Sequence, residues 1–139
     1  MQEVVDSIMS QPFLAVLAYF SVGILSLIVF LSCFELVTRY DGWKEIGRGN
    51  LAAAMATGGK IFGICNIFRF SIEANDTIYQ SILWSAVGFL LLLVAYFLFE
   101  FFTPVFRVDE EISKDNRAVG LLSLVLSVSL SYIIGAAVI

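Results

Sequence analysis

The chain has 139 residues, 60% of them hydrophobic and 14% charged, with a net charge of −4 and a mean hydropathy of +0.93. A soluble domain carries about 25% charged residues, so an ordinary water-soluble globule is excluded. Histidine is absent, which removes the commonest metal ligand and the usual general base.

Four apolar stretches account for the composition. No charge falls between Asp6 and Glu35, between Asp76 and Glu100, or after Arg117, and Lys60 is the only charge between Arg48 and Arg69. Each stretch exceeds the roughly 18 residues that mark a membrane-spanning helix. Continuous rather than alternating apolar runs select helices over barrel strands. The first run is too long for a signal peptide, and Glu3 and Asp6 stand where a basic segment would be.

In chain order, the first helix is expected over residues 12–37, with Pro12 in the first turn, where its missing N–H costs nothing. A charged connection over 38–49 carries Arg39, Asp41, Lys44, Glu45 and Arg48. The second helix is expected over 50–70, followed by an acidic loop over 71–77 with Glu73 and Asp76. The third is expected over 78–103, stopped by Pro104. A second charged connection over 105–117 leads to the fourth helix over 118–139. Cys33 and Cys65 lie at different depths in their helices, which argues against a disulfide.

Loop charge sets the expected orientation. Arg39, Lys44, Arg48, Arg107, Lys114 and Arg117 all lie in the two charged connections, while the N-terminus, the 71–77 loop and the C-terminus hold no Lys or Arg. The positive-inside rule puts those connections in the cytoplasm and both termini on the extracytoplasmic side.

The two connections echo each other. Glu45-Ile-Gly-Arg-Gly-Asn50-Leu-Ala52 and Glu111-Ile-Ser-Lys-Asp-Asn116-Arg-Ala118 both fit E-I-x-[RK]-x-N-x-A, and Glu35-x-x-Thr38 echoes Glu100-x-x-Thr103. The expected architecture is an all-α membrane protein with four transmembrane helices. It forms one membrane domain, 1–139, built from two tandem two-helix repeats, 12–70 and 78–139. Units of equal orientation would be related by an axis along the membrane normal. Asn50 and Asn116 stand where N-caps belong.

The Trp43–Ala54 segment WKEIGRGNLAAA, the Gly58-Gly59 pair, Asp115-Asn-Arg-Ala118, Ala18-Tyr19-Phe20 and the Glu100-x-x-Thr-Pro104 region resemble the YjfL-like family of bacterial inner-membrane proteins. The resemblance covers nearly the whole chain. It implies four membrane helices with a duplicated two-helix domain in a bacterial plasma (inner) membrane. It implies no established activity and supplies no catalytic residues. Relatives encoded near phage-shock-type stress proteins hint at an envelope role. The family pattern accepts a neutral residue where Lys60 stands, so Lys60 is not inherited as a family-wide site.

Several residues are candidates for function. On the second helix Ala52, Ala56, Gly59, Gly63 and Asn66 form a narrow stripe at 100° per residue. Gly59-x-x-x-Gly63 is the small-xxx-small pattern of close helix packing in lipid. Gly120, Ser123, Ser127 and Ser131 form a similar stripe on the fourth. Lys60 flanks the first stripe about 15 Å from its helix start, near mid-bilayer depth. An ammonium there costs about 2.5–3.5 kcal/mol on insertion scales. Two readings follow: an ion pair with Glu100 or Glu35, or a hydrated cavity with Lys60 on its wall. Arg69 is expected to snorkel and pair with Glu73. Tyr40, Trp43 and Trp84 suit interfacial anchoring, and Asp109-Glu110-Glu111 reads as a solvated loop face.

These observations favour a non-enzymatic protein that acts through association. The expected role is that of an oligomeric structural component in bacterial envelope maintenance, with no catalytic residue, metal or cofactor. The alternative is a small channel or transporter for an anion or an anionic lipid headgroup. Expected partners are the lipid bilayer, further copies of the chain and a membrane-stress protein, with no nucleic acid.

Overall fold

A computed structural model describes residues 1–101, 103 and 107–138, and it is all-helical over them. The elements are α1 (Gln2–Met9), α2 (Pro12–Val37), α3 (Gly42–Gly47), α4 (Leu51–Ala74), α5 (Ile78–Phe101), α6 (Val108–Ser113) and α7 (Arg117–Ala137). Helices α2, α4, α5 and α7 are long and apolar enough to cross a membrane.

The differences from expectation have local causes. Helix α4 runs past residue 70 to Ala74. The Arg69–Glu73 ion pair (3.2 Å) spans its last turn, and Asn75 Nδ2 donates to the Ser71 carbonyl at 2.8 Å, closing the end. The expected acidic loop is correspondingly short. Helix α5 ends at Phe101 and Thr103 is non-helical, while Pro104, the expected stop, lies outside the described residues. Helix α7 starts one residue early at Arg117 and ends at Ala137; Ile139, to which it was expected to run, is also outside the described residues. Helices α1, α3 and α6 were not anticipated. They span six to eight residues, too few for an apolar repeat to stand out.

Helix α4 is the central element. It makes its longest contact with α7 and also meets α5 and α2. Helix association in lipid rests on packing rather than on the hydrophobic effect, so backbone proximity matters most. The two small-residue stripes supply it. A methyl added at Gly59 would stand 2.9 Å from Leu124 Cα, and one at Gly120 would stand 2.6 Å from Ala52 Cα. Ala52, Ala56, Gly59 and Gly63 are buried. Asn66 Nδ2 donates to Ser131 Oγ at 3.0 Å across the seam. Farther from it, Phe34, Ile64, Ile67, Phe89, Leu92 and Ile134 form an apolar core, with Phe30 stacked on Phe89 at 4.5 Å.

The two charged connections share one geometry. Gly49 and Asp115 both adopt positive φ, 86° and 61°. The next residue then donates its N–H to the carbonyl of Glu45 (3.0 Å) or Glu111 (2.9 Å). Asn50 Oδ1 accepts from Ala53 N–H at 2.9 Å and Asn116 Oδ1 from Val119 N–H at 3.3 Å. Each Asn Nδ2 reaches its own glutamate, Glu45 or Glu111. Thr38 and Thr103 hydroxyls donate to the carbonyls of Phe34 and Phe99. The connections also bind each other. Asn50 Nδ2 donates to the Ile112 carbonyl at 2.8 Å, and Asp115 Oδ1 accepts from Ala52 N–H at 3.0 Å.

Adjacent glycines test the seam. A methyl at Gly58 meets nothing within 4 Å, so Gly58→Ala should leave thermal stability in detergent unchanged or raise it by up to about 1 kcal/mol. Gly59→Ala should lower it by roughly 1–3 kcal/mol, because the obstacle is backbone. Equal behaviour of the two would place the close contact elsewhere. A second pair tests the caps. Asn116→Ala should cost about 1 kcal/mol. Asn50→Ala should cost about 2 kcal/mol, since it also removes the bond to the Ile112 carbonyl that joins the two connections. Matching losses would contradict the cross-connection role.

Candidate functional site

The site is the surroundings of Lys60, which is only 3% exposed. Its backbone lies in the middle of α4, one residue past the Gly59 contact. One residue is 100° of turn, so the seam against α7 directs Lys60 into the bundle. Helical side chains lean toward their N-terminus, and four methylenes carry the ammonium to the end of α2. There Nζ lies 3.4 Å from Thr38 Oγ1.

Two aromatic faces complete the enclosure. Lys60 Nζ is 5.2 Å from the Phe34 ring centre and 5.1 Å from that of Tyr96. The rings stand edge to face at 5.9 Å. Desolvated cation–π contacts contribute about 2 kcal/mol or more. Thr38 is also the C-cap of α2, where the partial negative charge of the helix end favours a cation.

Charge compensation comes from carboxylates that do not touch the amine. Asp109 and Glu35 both attract Lys60 through space, yet Lys60 forms no ion pair among the described residues. Asp109, on α6, is 5% exposed. Its Oδ2 accepts from Arg39 N–H at 3.1 Å and its Oδ1 from the Tyr96 hydroxyl. Tyr96 thus presents its ring to the ammonium and its hydroxyl to the carboxylate. Glu35 Oε2 accepts from Gly42 N–H at 3.2 Å, at the start of α3. Burial, then the charges of Asp109 and Glu35, push the neighbouring Tyr40 hydroxyl above its ordinary range and keep it neutral.

Several expectations change here. The ion pair of Lys60 with Glu100 or Glu35 does not form. Glu35 is tied to α3, and Glu100 faces the N–H groups of Val108 and Asp109. Its Oε2 is buried without a hydrogen-bond partner among the described residues. Asp109 is not on a solvated face, because α6 turns it inward while Glu110 stays exposed. Tyr40 is half-buried against the apolar cluster that contains Ala52, Ala56, Val108 and Ile112 rather than freely interfacial, while Trp43 is 56% exposed. Arg69 pairs with Glu73 far from Lys60 along α4. Sequence reasoning missed Phe34, Thr38, Tyr96 and Asp109 as one group. The only available signal was Tyr96, a phenol one turn from Glu100 in an otherwise Leu- and Phe-rich run.

Beside the ammonium is a cavity of about 20 Å³ bordered by Phe34, Tyr96, Leu92, Ser123 and Ser127. That volume accommodates about one water molecule. The arrangement is a receptor for a cation, with two ring faces, a hydroxyl, a helix C-terminus and two carboxylate fields. The side chain of Lys60 occupies it.

Lys60→Ala should lower the unfolding midpoint in lipid nanodiscs by several degrees, a loss of roughly 2 kcal/mol or more. Added ethylammonium should recover part of that loss and leave the wild-type protein unchanged. An alanine variant as stable as wild type and indifferent to ethylammonium would contradict the receptor.

Comparison with known proteins bears on the whole chain. Residues 7–138 match the family described as Domain of Unknown Function (DUF350). The chain is 54% identical over 121 residues to the UPF0719 transmembrane protein YshE of Bacillus subtilis (strain 168), covering 87% of this chain and 90% of that one. It is 27% identical over 108 residues to the UPF0719 inner membrane protein YjfL of Escherichia coli (strain K12), covering 78% and 80%. No solved structure matches.

Proposed function

Because the chain belongs to the DUF350 family and is a multi-pass protein of the bacterial plasma (inner) membrane, we propose that it works by association. In this reading it is a non-enzymatic homo-oligomer that contributes to envelope maintenance. Two tandem two-helix units face the cytoplasm with their charged connections and the opposite side with both termini. The basic residues of the connections and their matching cap geometry support that arrangement.

The observation that carries the proposal is the uneven seating of α2. Of its 26 residues only Leu31 and Phe34, both in the second half, are buried. The first half leaves an apolar groove of about 300 Å³ against α4, walled by Tyr19, Phe20, Gly23, Ile64 and Phe68. A helix from a second copy can fill such a groove with side-chain contacts. The α4 stripe is already used within the chain, and α2 is the least buried of the four long helices, which makes it the surface offered to a neighbour.

Conduction of an anion has less support. One Lys60 donor is engaged by Thr38 and its charge by the rings of Phe34 and Tyr96. An anion entering there would meet the fields of Asp109 and Glu35. The adjoining 20 Å³ is far too small for a lipid headgroup.

Crosslinking and native mass measurement of the protein in nanodiscs should give a dimer or higher species. Ile24→Trp, which adds bulk at an exposed wall of the groove, should shift the population toward monomer without lowering the unfolding midpoint. Monomer alone at every protein-to-lipid ratio would overturn the proposal.

A further inference from the structure

Helix α1 has a two-sided pattern. At 100° per residue, Met1, Val4, Val5, Ile8 and Met9 fall on one side and Gln2, Glu3, Asp6 and Ser7 on the other. Neither side is consumed by the fold. No residue of α1 is buried. Val5 and Met9 are half-covered, whereas Val4 is 60% and Ile8 37% exposed.

The connection to α2 is short. Ser10 N–H donates to the Asp6 carbonyl at 3.0 Å, Gln11 N–H to Ile8 at 3.2 Å, and Ala15 N–H already bonds back to Gln11 at 2.9 Å. The chain therefore turns from α1 into α2 within two residues. The first turns of α2 expose Phe13 (73%) and Val16 (65%) on a helix that crosses the membrane. Helix α1 thus joins, through a two-residue link, a helix whose first turns meet lipid.

We propose that α1 lies along the membrane interface, with Val4 and Ile8 seated among the upper acyl chains and Glu3, Asp6 and Ser7 in water. Interfacial helices bind through apolar area plus attraction of basic residues to anionic lipid. The side chains of α1 are acidic or neutral and include no Lys or Arg, so apolar area provides the attachment. The partner is accordingly the headgroup–acyl boundary of a zwitterionic membrane, and anionic lipid adds nothing to the contact. The inference is independent of how copies associate through α2.

Spin labels report it directly. In full-length protein carrying Cys33→Ala and Cys65→Ala, single cysteines are placed by Val4→Cys, Ile8→Cys, Glu3→Cys and Ser7→Cys, all at exposed positions. The labelled proteins are reconstituted in phosphatidylcholine vesicles, with and without phosphatidylglycerol. Labels at 4 and 8 should collide preferentially with oxygen and those at 3 and 7 with a water-soluble nickel chelate. The reversal between faces should be the same in both lipid mixtures. Equal nickel accessibility at all four sites would put α1 in water and overturn the proposal. Shielding of 4 and 8 from both probes would show protein rather than lipid on that face and would overturn it equally. An oxygen preference at 4 and 8 that appears only with phosphatidylglycerol would refute the stated lipid chemistry.

Discussion

One ammonium held inside a membrane-spanning bundle constrains the rest of the molecule. A charge at that depth is tolerated when water, an opposite charge or a polarisable surface replaces its hydration. Here the replacement is distributed. Thr38 supplies an acceptor, Phe34 and Tyr96 supply ring faces, and Asp109 and Glu35 supply field without contact. A direct ion pair would have desolvated two charges at one point, with little or no net gain. Asp109 instead keeps its own hydrogen bonds to Arg39 and Tyr96.

That distribution depends on backbone contacts as well as on the side chains around Lys60. Close approach at Gly59 fixes the rotation of α4 against α7 and so the direction in which Lys60 points. The two connections fix the height of α6. Asn50 holds the Ile112 carbonyl and Asp115 holds the Ala52 N–H, so the end of α6 is tied to the start of α4 and Asp109 is carried inward. Glu35 meets the Gly42 N–H at the start of α3, so that carboxylate ties the end of α2 to α3, while α6 carries Asp109 to the cation receptor.

The sequence made the long helices legible because an uninterrupted apolar run long enough to span lipid admits few alternatives. The caps were legible because an asparagine ahead of an apolar run has one favoured use. The small-residue stripes could be read from spacing alone, but their partner could not, since the pattern does not say which helix approaches. The surroundings of Lys60 were the least legible part. Thr38, Tyr96, Lys60 and Asp109 come from four segments, and no local pattern links them. Asp109 was misread because its neighbours Glu110 and Glu111 make the run look uniformly solvated, whereas helical rotation over α6 separates it from them. The 71–74 turn was read as loop because its polar residues look like a boundary. The Arg69–Glu73 pair and the Asn75 bond at the end hold it helical.

Lysine side-chain NMR of the ¹³C-labelled protein in nanodiscs tests the central claim most directly. The ε-methylene protons of Lys60, whose ammonium lies over the rings of Phe34 and Tyr96, should resonate well upfield of those of Lys44 and Lys114. They should also resist a water-soluble amine reagent and move back toward the others in Tyr96→Leu. A Lys60 signal coincident with Lys44 and Lys114, together with equally fast modification, would contradict an enclosed ammonium and the account built on it.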